Sequence, residues 1–314
     1  MNRRDALIAY VLVVSALLTG WVSRAADDFT GSWTIHRSDE PGKVEFALIH
    51  HHRGHSSNHE SSWPLSAFVG LDVSKPGKQE VKFTINRDAG RFDCEGYLNG
   101  REGAGVFHFL ADSKYPSEMN ALGFAGIDEE KQFSMAVMDV SLNFAKEMKG
   151  EHLRGLDTDK LLSFRIFNVN SAYIKELRDA GIKAEDSDRL VAFRIHGVTP
   201  EMVRYLRKAG YQPDEDQLLA MRIHGATPEW MQQLQKAGYD HVDLDKLIAF
   251  RIHGVSPDFI EKVQALGYEH PEPDQLIAMR IHGVTPEYIS AMKSRGMQNL
   301  TIDQLVSLRI QGID

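Results

Sequence analysis

Cysteine is nearly absent from this 314-residue chain, which holds Cys94 alone. One thiol excludes an intramolecular disulfide framework and any CxxC metal or redox site. Basic residues are outnumbered, 36 Lys and Arg against 44 Asp and Glu, for a formal charge of −8. Removing residues 1–25, which hold Arg3, Arg4 and Arg24 against Asp5, takes the balance to −10. An acidic chain argues against nucleic-acid binding, which runs on Lys and Arg neutralising phosphates. Catalytic signatures are missing too: there is no GxSxG, Walker loop or strand-to-helix GxGxxG. His59-Glu60-Ser61-Ser62-Trp63 opens like a zincin helix but lacks the second His at i+4, so the two-ligand geometry cannot form. With 42% apolar and 25% charged residues the composition is globular, which excludes wholesale disorder and a collagen-like fibre.

One long apolar run is present. Ala6–Val22 carries no charge, follows Arg3-Arg4 and closes on Ser23-Arg24-Ala25, with small residues placed for cleavage before Ala26. We expect a signal peptide over 1–25 and export, to the periplasm or beyond it. The alternative is an uncleaved anchor in the inner membrane, because the run is close to the ~20 residues of a spanning helix. No second spanning segment follows, so any membrane contact rests on this segment.

Residues 26–112 read as a small antiparallel β domain. Gly31–Arg37, Lys43–His50, Glu80–Asn86, Arg91–Leu98 and Gly103–Leu110 are short and rich in Val, Ile and aromatic residues. Turn chemistry separates them, and Asn99-Gly100 is the strongest hairpin signal, read as a type I′ turn with both residues at positive φ. About five strands suggest a sandwich or a partly open barrel. Cys94 shares a face with Phe92 and reads as a buried small hydrophobe.

Residues 113–314 read as a tandem array. Arg-Ile-His-Gly-Val stands at Arg194–Val198, Arg251–Val255 and Arg280–Val284, with variants at Arg165–Val169, Arg222–Ala226 and Arg309–Ile313. The arginines recur every 28 or 29 residues, Ala136–Val140 is a worn copy, and Tyr115–Gly126 looks like half of another. Each unit is two short helices. Helix A starts on an acidic turn (Asp188, Asp216, Asp245, Asp274) and stops at a Gly suited to the left-handed C′ position. Helix B starts on Thr-Pro-Glu or Ser-Pro-Asp, a hydroxyl cap with Pro at N1. The helical wheel places Leu190, Val191, Phe193 and Ile195 on one broad apolar arc and keeps the opposite position small, as Ala192, so helix A is expected to be buried nearly all round. The fold class is therefore α+β, with a β domain followed by an αα-hairpin solenoid.

The repeat arginines Arg165, Arg194, Arg222, Arg251, Arg280 and Arg309 fall inside the apolar arc. Their guanidinium groups need partners, which we expect to be carboxylates or helix-end carbonyls of the adjacent unit, forming a ladder. His50, His52, His55 and His59 form the one dense cluster of metal-ligand type, since imidazole suits zinc, copper or nickel. His55 and His59 lie in a Ser/Asn-rich stretch that reads as solvated loop, which favours a surface strand end over a site. His196, His224, His253 and His282 sit one unit apart, too far to share a metal, and read as helix C-terminal residues. Aromatics at the third residue after the helix B cap (Phe144, Tyr173, Trp230, Phe259, Tyr288) read as core.

The opening Gly31–Leu48 (GSWTIHRSDEPGKVEFAL), Ser56–Leu71 (SSNHESSWPLSAFVGL), Asn86–Phe109 (NRDAGRFDCEGYLNGREGAGVFHF) and the RIHGVTPE units together resemble an exported bacterial module. That module follows the membrane metallopeptidase of beta-lactam-sensor-type antirepressors and also stands alone in secreted proteins. The resemblance implies a β domain with helical repeats outside the cytoplasm. It carries no catalytic residue to this chain, because the peptidase part with its HExxH helix is absent. The expected function is a non-enzymatic interaction protein in envelope signalling, its array binding a protein or peptide, with a homodimer through the last helix as a further partner state. No cofactor is expected. The alternative is a divalent-metal or small-ligand sensor through the His-rich β domain.

Overall fold

A computed structural model describes residues 29–52 and 55–313, the side chains of 51, 52 and 55–57 excepted. The signal or anchor expected at 1–25 lies outside the described residues. Among the described residues there are six strands and fourteen helices, an α+β architecture, and no helix is long and apolar enough to cross a membrane. The strands are β1 (Thr30–Arg37), β2 (Lys43–His52), β3 (His55–Pro64), β4 (Lys78–Arg87), β5 (Gly90–Asn99) and β6 (Glu102–Ala111). They form one antiparallel sheet of order β3-β2-β1-β6-β5-β4, two three-strand meanders joined along β1 and β6.

The sheet curls strongly. β2 and β4 lie four strands apart, about 19 Å across a flat sheet at ~4.8 Å per strand. Yet the rings of Phe46 on β2 and Phe83 on β4 are 6.4 Å apart. Val69, in the crossover after β3, exchanges backbone hydrogen bonds with Thr84 on the outer edge of β4, and Phe68 fills the space between Phe46 and Phe83. Trp33 on β1 lies over the facing pair Gly96 and Gly105, where a Cβ would come within 2.8 Å and 2.7 Å of its ring. Those two glycines make room for the largest fully buried side chain.

Two local expectations change. Ser/Asn-rich His55–Pro64 is a strand, in ten-residue register with β2, not a loop. Pairing to an apolar neighbour overrides its poor β propensity. In the β5–β6 hairpin, Asn99 pairs with Glu102, so the loop is Gly100-Arg101 and Gly100 alone takes positive φ (66°). That is the demand of a type II′ turn, with Gly first, rather than type I′.

The helices are α1 (Tyr115–Ala121), α2 (Glu129–Val137), α3 (Leu142–Gly150), α4 (Thr158–Ile166), α5 (Ser171–Asp179), α6 (Ser187–His196), α7 (Pro200–Lys208), α8 (Glu215–His224), α9 (Pro228–Lys236), α10 (Leu244–His253), α11 (Pro257–Ala265), α12 (Pro273–His282), α13 (Pro286–Ser294) and α14 (Ile302–Ile310). The chain forms two compact units. The sheet unit runs to Glu151 and takes in Leu156–Ile166; the second is His152–Gly155 with Phe167–Asp314. The sheet unit thus extends beyond residue 112 because α2 plugs the curl. Phe133 packs between Phe29 (5.3 Å) and Phe109 (5.4 Å), and the Gln132 amide donates to Ala89 O and Asp112 O.

In the second unit α6, α8, α10, α12 and α14 are the A helices, each packed on the next, and α5, α7, α9, α11 and α13 are the B helices, with α5 on α7, α7 on α9 and α11 on α13. Local chemistry sets most of the boundaries. Thr199, Thr227, Ser256 and Thr285 accept at their side chains from the N3 amides, ahead of a Pro at N1. At the A-helix ends Gly197, Gly225, Gly254 and Gly283 take φ of 72–74°. The amides that follow them close six-to-one bonds such as Val198 N to Phe193 O (2.8 Å). In the worn copies Asp139 and Asn168 hold this position at φ 54°, the residues that best tolerate the left-handed region after glycine.

Candidate interaction surface

Each repeat arginine reaches back one unit to the end of the preceding A helix. Nε donates to a carbonyl at His196 (from Arg222, 3.0 Å), His224 (Arg251, 3.0 Å), His253 (Arg280, 3.2 Å) and Gly283 (Arg309, 3.2 Å). Arg194 reaches Asn168 O through Nη2 at 2.7 Å. Within the sheet unit Arg165 donates to Met138 O (2.9 Å) and pairs with Asp139 (3.0 Å). The acceptors are the orphan carbonyls of a helix C-terminus, where the macrodipole is negative, so a cation there satisfies both demands. The C′ glycine serves twice, since a Cβ at Gly197, Gly225 or Gly254 would sit within 2.8–2.9 Å of the incoming guanidinium.

Under five of the six guanidinium groups lies the ring at N3 of the preceding B helix. Arg194 is 3.6 Å from the Tyr173 centroid, Arg251 5.2 Å from Trp230, Arg280 5.0 Å from Phe259 and Arg309 4.9 Å from Tyr288. In the sheet unit Arg165 stands 5.1 Å over Phe144. Arg222 alone has no ring, because its unit carries Met202 at N3. These aromatics are therefore more than core. Their signal was in the chain, an aromatic 21 residues before five of the six arginines, but the purpose of that spacing needs the stacked units. Tyrosines add further ties: Tyr173 OH donates to Val198 O (2.9 Å) and Tyr239 OH to Pro271 O (2.6 Å). Burial pushes both hydroxyls up to about 12, against the opposing pull of Arg194 at Tyr173 and with help from Glu272 at Tyr239.

At the other end of the A helices the first-turn carboxylates are bridged from the preceding unit. Arg189 pairs with Asp216 (2.7 Å), Gln217 donates to Asp245 (2.8 Å), and Lys246 pairs with Asp274. Asp188, Asp216, Asp245, Asp274 and Asp303 are all exposed.

The isoleucine of the motif is where the wheel misleads. Phe193 and its counterparts Met221, Phe250 and Met279 are fully buried, but Ile195, Ile223, Ile252, Ile281 and Ile310 are 52–62% exposed. Helix A is therefore not buried all round; one face is open. On it Ala192, Ala220, Ala249 and Ala278 are half-buried. The small position that read as close packing from behind instead forms the floor of an open strip, with one isoleucine per unit. The adjacent His196, His224 and His282 are exposed and His253 half-buried, one per unit, in no shared cluster.

The His-rich candidates divide. His50 is a core residue, not a surface strand end: it is 7% exposed, its Nδ1 lies 2.9 Å from Thr30 O, and its ring stacks on Phe29 at 5.0 Å. His59 pairs in register with Leu48, is half-buried, and burial lowers its pKa. The side chains of His52 and His55 lie outside the described residues. Among the described residues no three His, Cys, Asp or Glu gather as a metal set. Cys94 is buried, and burial first, then Asp93, pushes its thiol well above the ordinary range, which keeps it unreactive.

Comparison with protein-family models and with curated proteins gives no match to this chain.

Proposed function

We propose that this protein is a non-enzymatic, exported interaction protein whose repeats form a solenoid that binds a protein or peptide partner in the bacterial envelope. The observation that carries the reading is the row of half-exposed isoleucines, one on each A helix of the second unit. Scattered apolar side chains on a surface need no explanation, but an exposed isoleucine at the same position of every A helix is not scatter, and exposed apolar surface of this kind marks an interaction site. The arginines and aromatics that recur beside it are committed to holding the units together, which leaves them structural and leaves the strip as the surface free to vary in use. Export is supported by the charged, apolar and small-residue order of 1–25.

The test is affinity enrichment from periplasmic extract with the full mature chain as bait, followed by reconstitution of each enriched protein with purified components. A partner that binds the purified chain with a micromolar or tighter Kd supports the reading. Enrichment of nothing above a bait with a surface-scrambled array overturns it.

A further inference from the structure

We infer that the open A-helix face of the second unit docks an amphipathic α-helix of a partner protein, one with apolar residues every seventh position and Lys or Arg along one flank. The inference rests on the proposed interaction role and names the class of partner.

Spacing is the first argument. Packed neighbouring helices lie about 8–10 Å apart, so the strip offers one isoleucine per such step. An α-helix advances about 10.5 Å in seven residues and presents the same face again. A β-strand repeats its face every ~6.6 Å and falls out of step. A polyproline II helix repeats at about 9.3 Å but is recognised by aromatic grooves, and the exposed A-face positions from Asp188 to Ile310 carry no ring of Phe, Tyr or Trp.

Width is the second. On each A helix the exposed Asp stands seven residues before the exposed Ile, as Asp216 does before Ile223. They lie on nearly the same line of the helix, about 10.5 Å apart, with an alanine between them on the first four A helices and Ser307 on the last. One helix of diameter about 10–12 Å fits over that floor.

Charge fixes the chemistry. The caps and first turns of the five A helices hold ten carboxylates against two cations, Arg189 and Lys246. At the far edge the repeat arginines already spend donors on the preceding carbonyls and stand over rings. An anionic lipid surface would meet those carboxylates with repulsion, and a second copy of the strip would bring another acidic edge with its arginines equally committed. A basic flank is complementary to the acidic edge.

The probe is a synthetic fluorescein-labelled peptide of four heptads, about 42 Å as a helix, with Leu on its apolar face and Lys on one flank, titrated against the full chain by fluorescence anisotropy. We expect saturable micromolar binding. Moving the leucines to alternate positions, or replacing Lys by Glu, weakens it at least about tenfold. The triple variant Ile223→Ser, Ile252→Ser, Ile281→Ser loses at least about tenfold with Tm nearly unchanged. The triple variant Asp216→Asn, Asp245→Asn, Asp274→Asn also weakens binding and flattens its salt dependence. Equal binding of the alternating peptide, or unchanged binding by the isoleucine variant, overturns the inference. So does a dimer in sedimentation that the isoleucine variant abolishes while no peptide binds. A periplasmic partner still held by the isoleucine variant would sink this docking mode and leave the broader interaction role standing.

Discussion

The sheet unit and the repeat unit both depend on aromatic residues, but they bury them against different things. In the sheet, rings meet rings from strands far apart in sequence: Trp33, Phe46, Phe68 and Phe83 close one cluster, and Phe133 plugs another. In the array each ring lies under a guanidinium 21 residues further on. The first arrangement needs the whole sheet to curl before any contact is made. The second is completed by the next unit alone, which is why the same parts can recur with period 28 or 29. Damage should accordingly spread through the sheet and stay local in the array.

The largest expected effect is on the sheet side. Trp33→Ala removes the side chain that fills the gap over Gly96 and Gly105 and should cost about 3–5 kcal/mol, read as a fall in the urea midpoint. A loss under ~1 kcal/mol would show that the curl does not depend on this contact.

Next comes alkaline pH, which tests the array. Tyr173 and Tyr239 have hydroxyl pKa values raised from 10.0 to about 12 in the fold. Their contribution is fully present below pH 10 and is lost as pH rises through about 12, because the unfolded chain releases those protons first. Chemical denaturation between pH 9 and 12 should show stability falling, with the slope reduced in Tyr173→Phe and Tyr239→Phe. An unchanged slope would mean that other groups control alkaline unfolding.

The ladder supplies an internal comparison of its own. Arg251→Met removes a carbonyl bond and a guanidinium over Trp230, and should cost about 1.5–2 kcal/mol. Arg222→Met removes the same bond over Met202, with no ring, and should cost about 0.5–1 kcal/mol less. Equal values from thermal or urea unfolding would assign the energy to the carbonyl alone.

Smallest are the cap and the strip. Thr227→Ala should cost about 1 kcal/mol through the lost bond to the Trp230 amide. Ile252→Ser, more than half exposed, should stay within about 0.5 kcal/mol. A larger loss at Ile252 would mean that the strip belongs to the core.

Much of this architecture was legible in the residues themselves. Thr-Pro-Glu starts, Gly stops and the repeat period act over three or four neighbours, so no distant contact is needed to read them. The same holds for five of the six strands, whose alternation matches their faces. β3 was not legible, because His55–Pro64 has loop composition and is a strand by virtue of its register with β2. His50 looked like a strand end until Phe29 and Phe133 were seen to close over it.

The sequence by itself determined the number, length and ends of the repeat helices and the need of each arginine for a partner. Only the tertiary structure decided which carbonyl each arginine meets, which ring lies beneath it, and that Ile195, Ile223, Ile252, Ile281 and Ile310 face outward. Caps and turns are local, governed by the backbone groups of a single helix end. Exposure is set by how close the neighbouring helices come, and a helical wheel contains no neighbours.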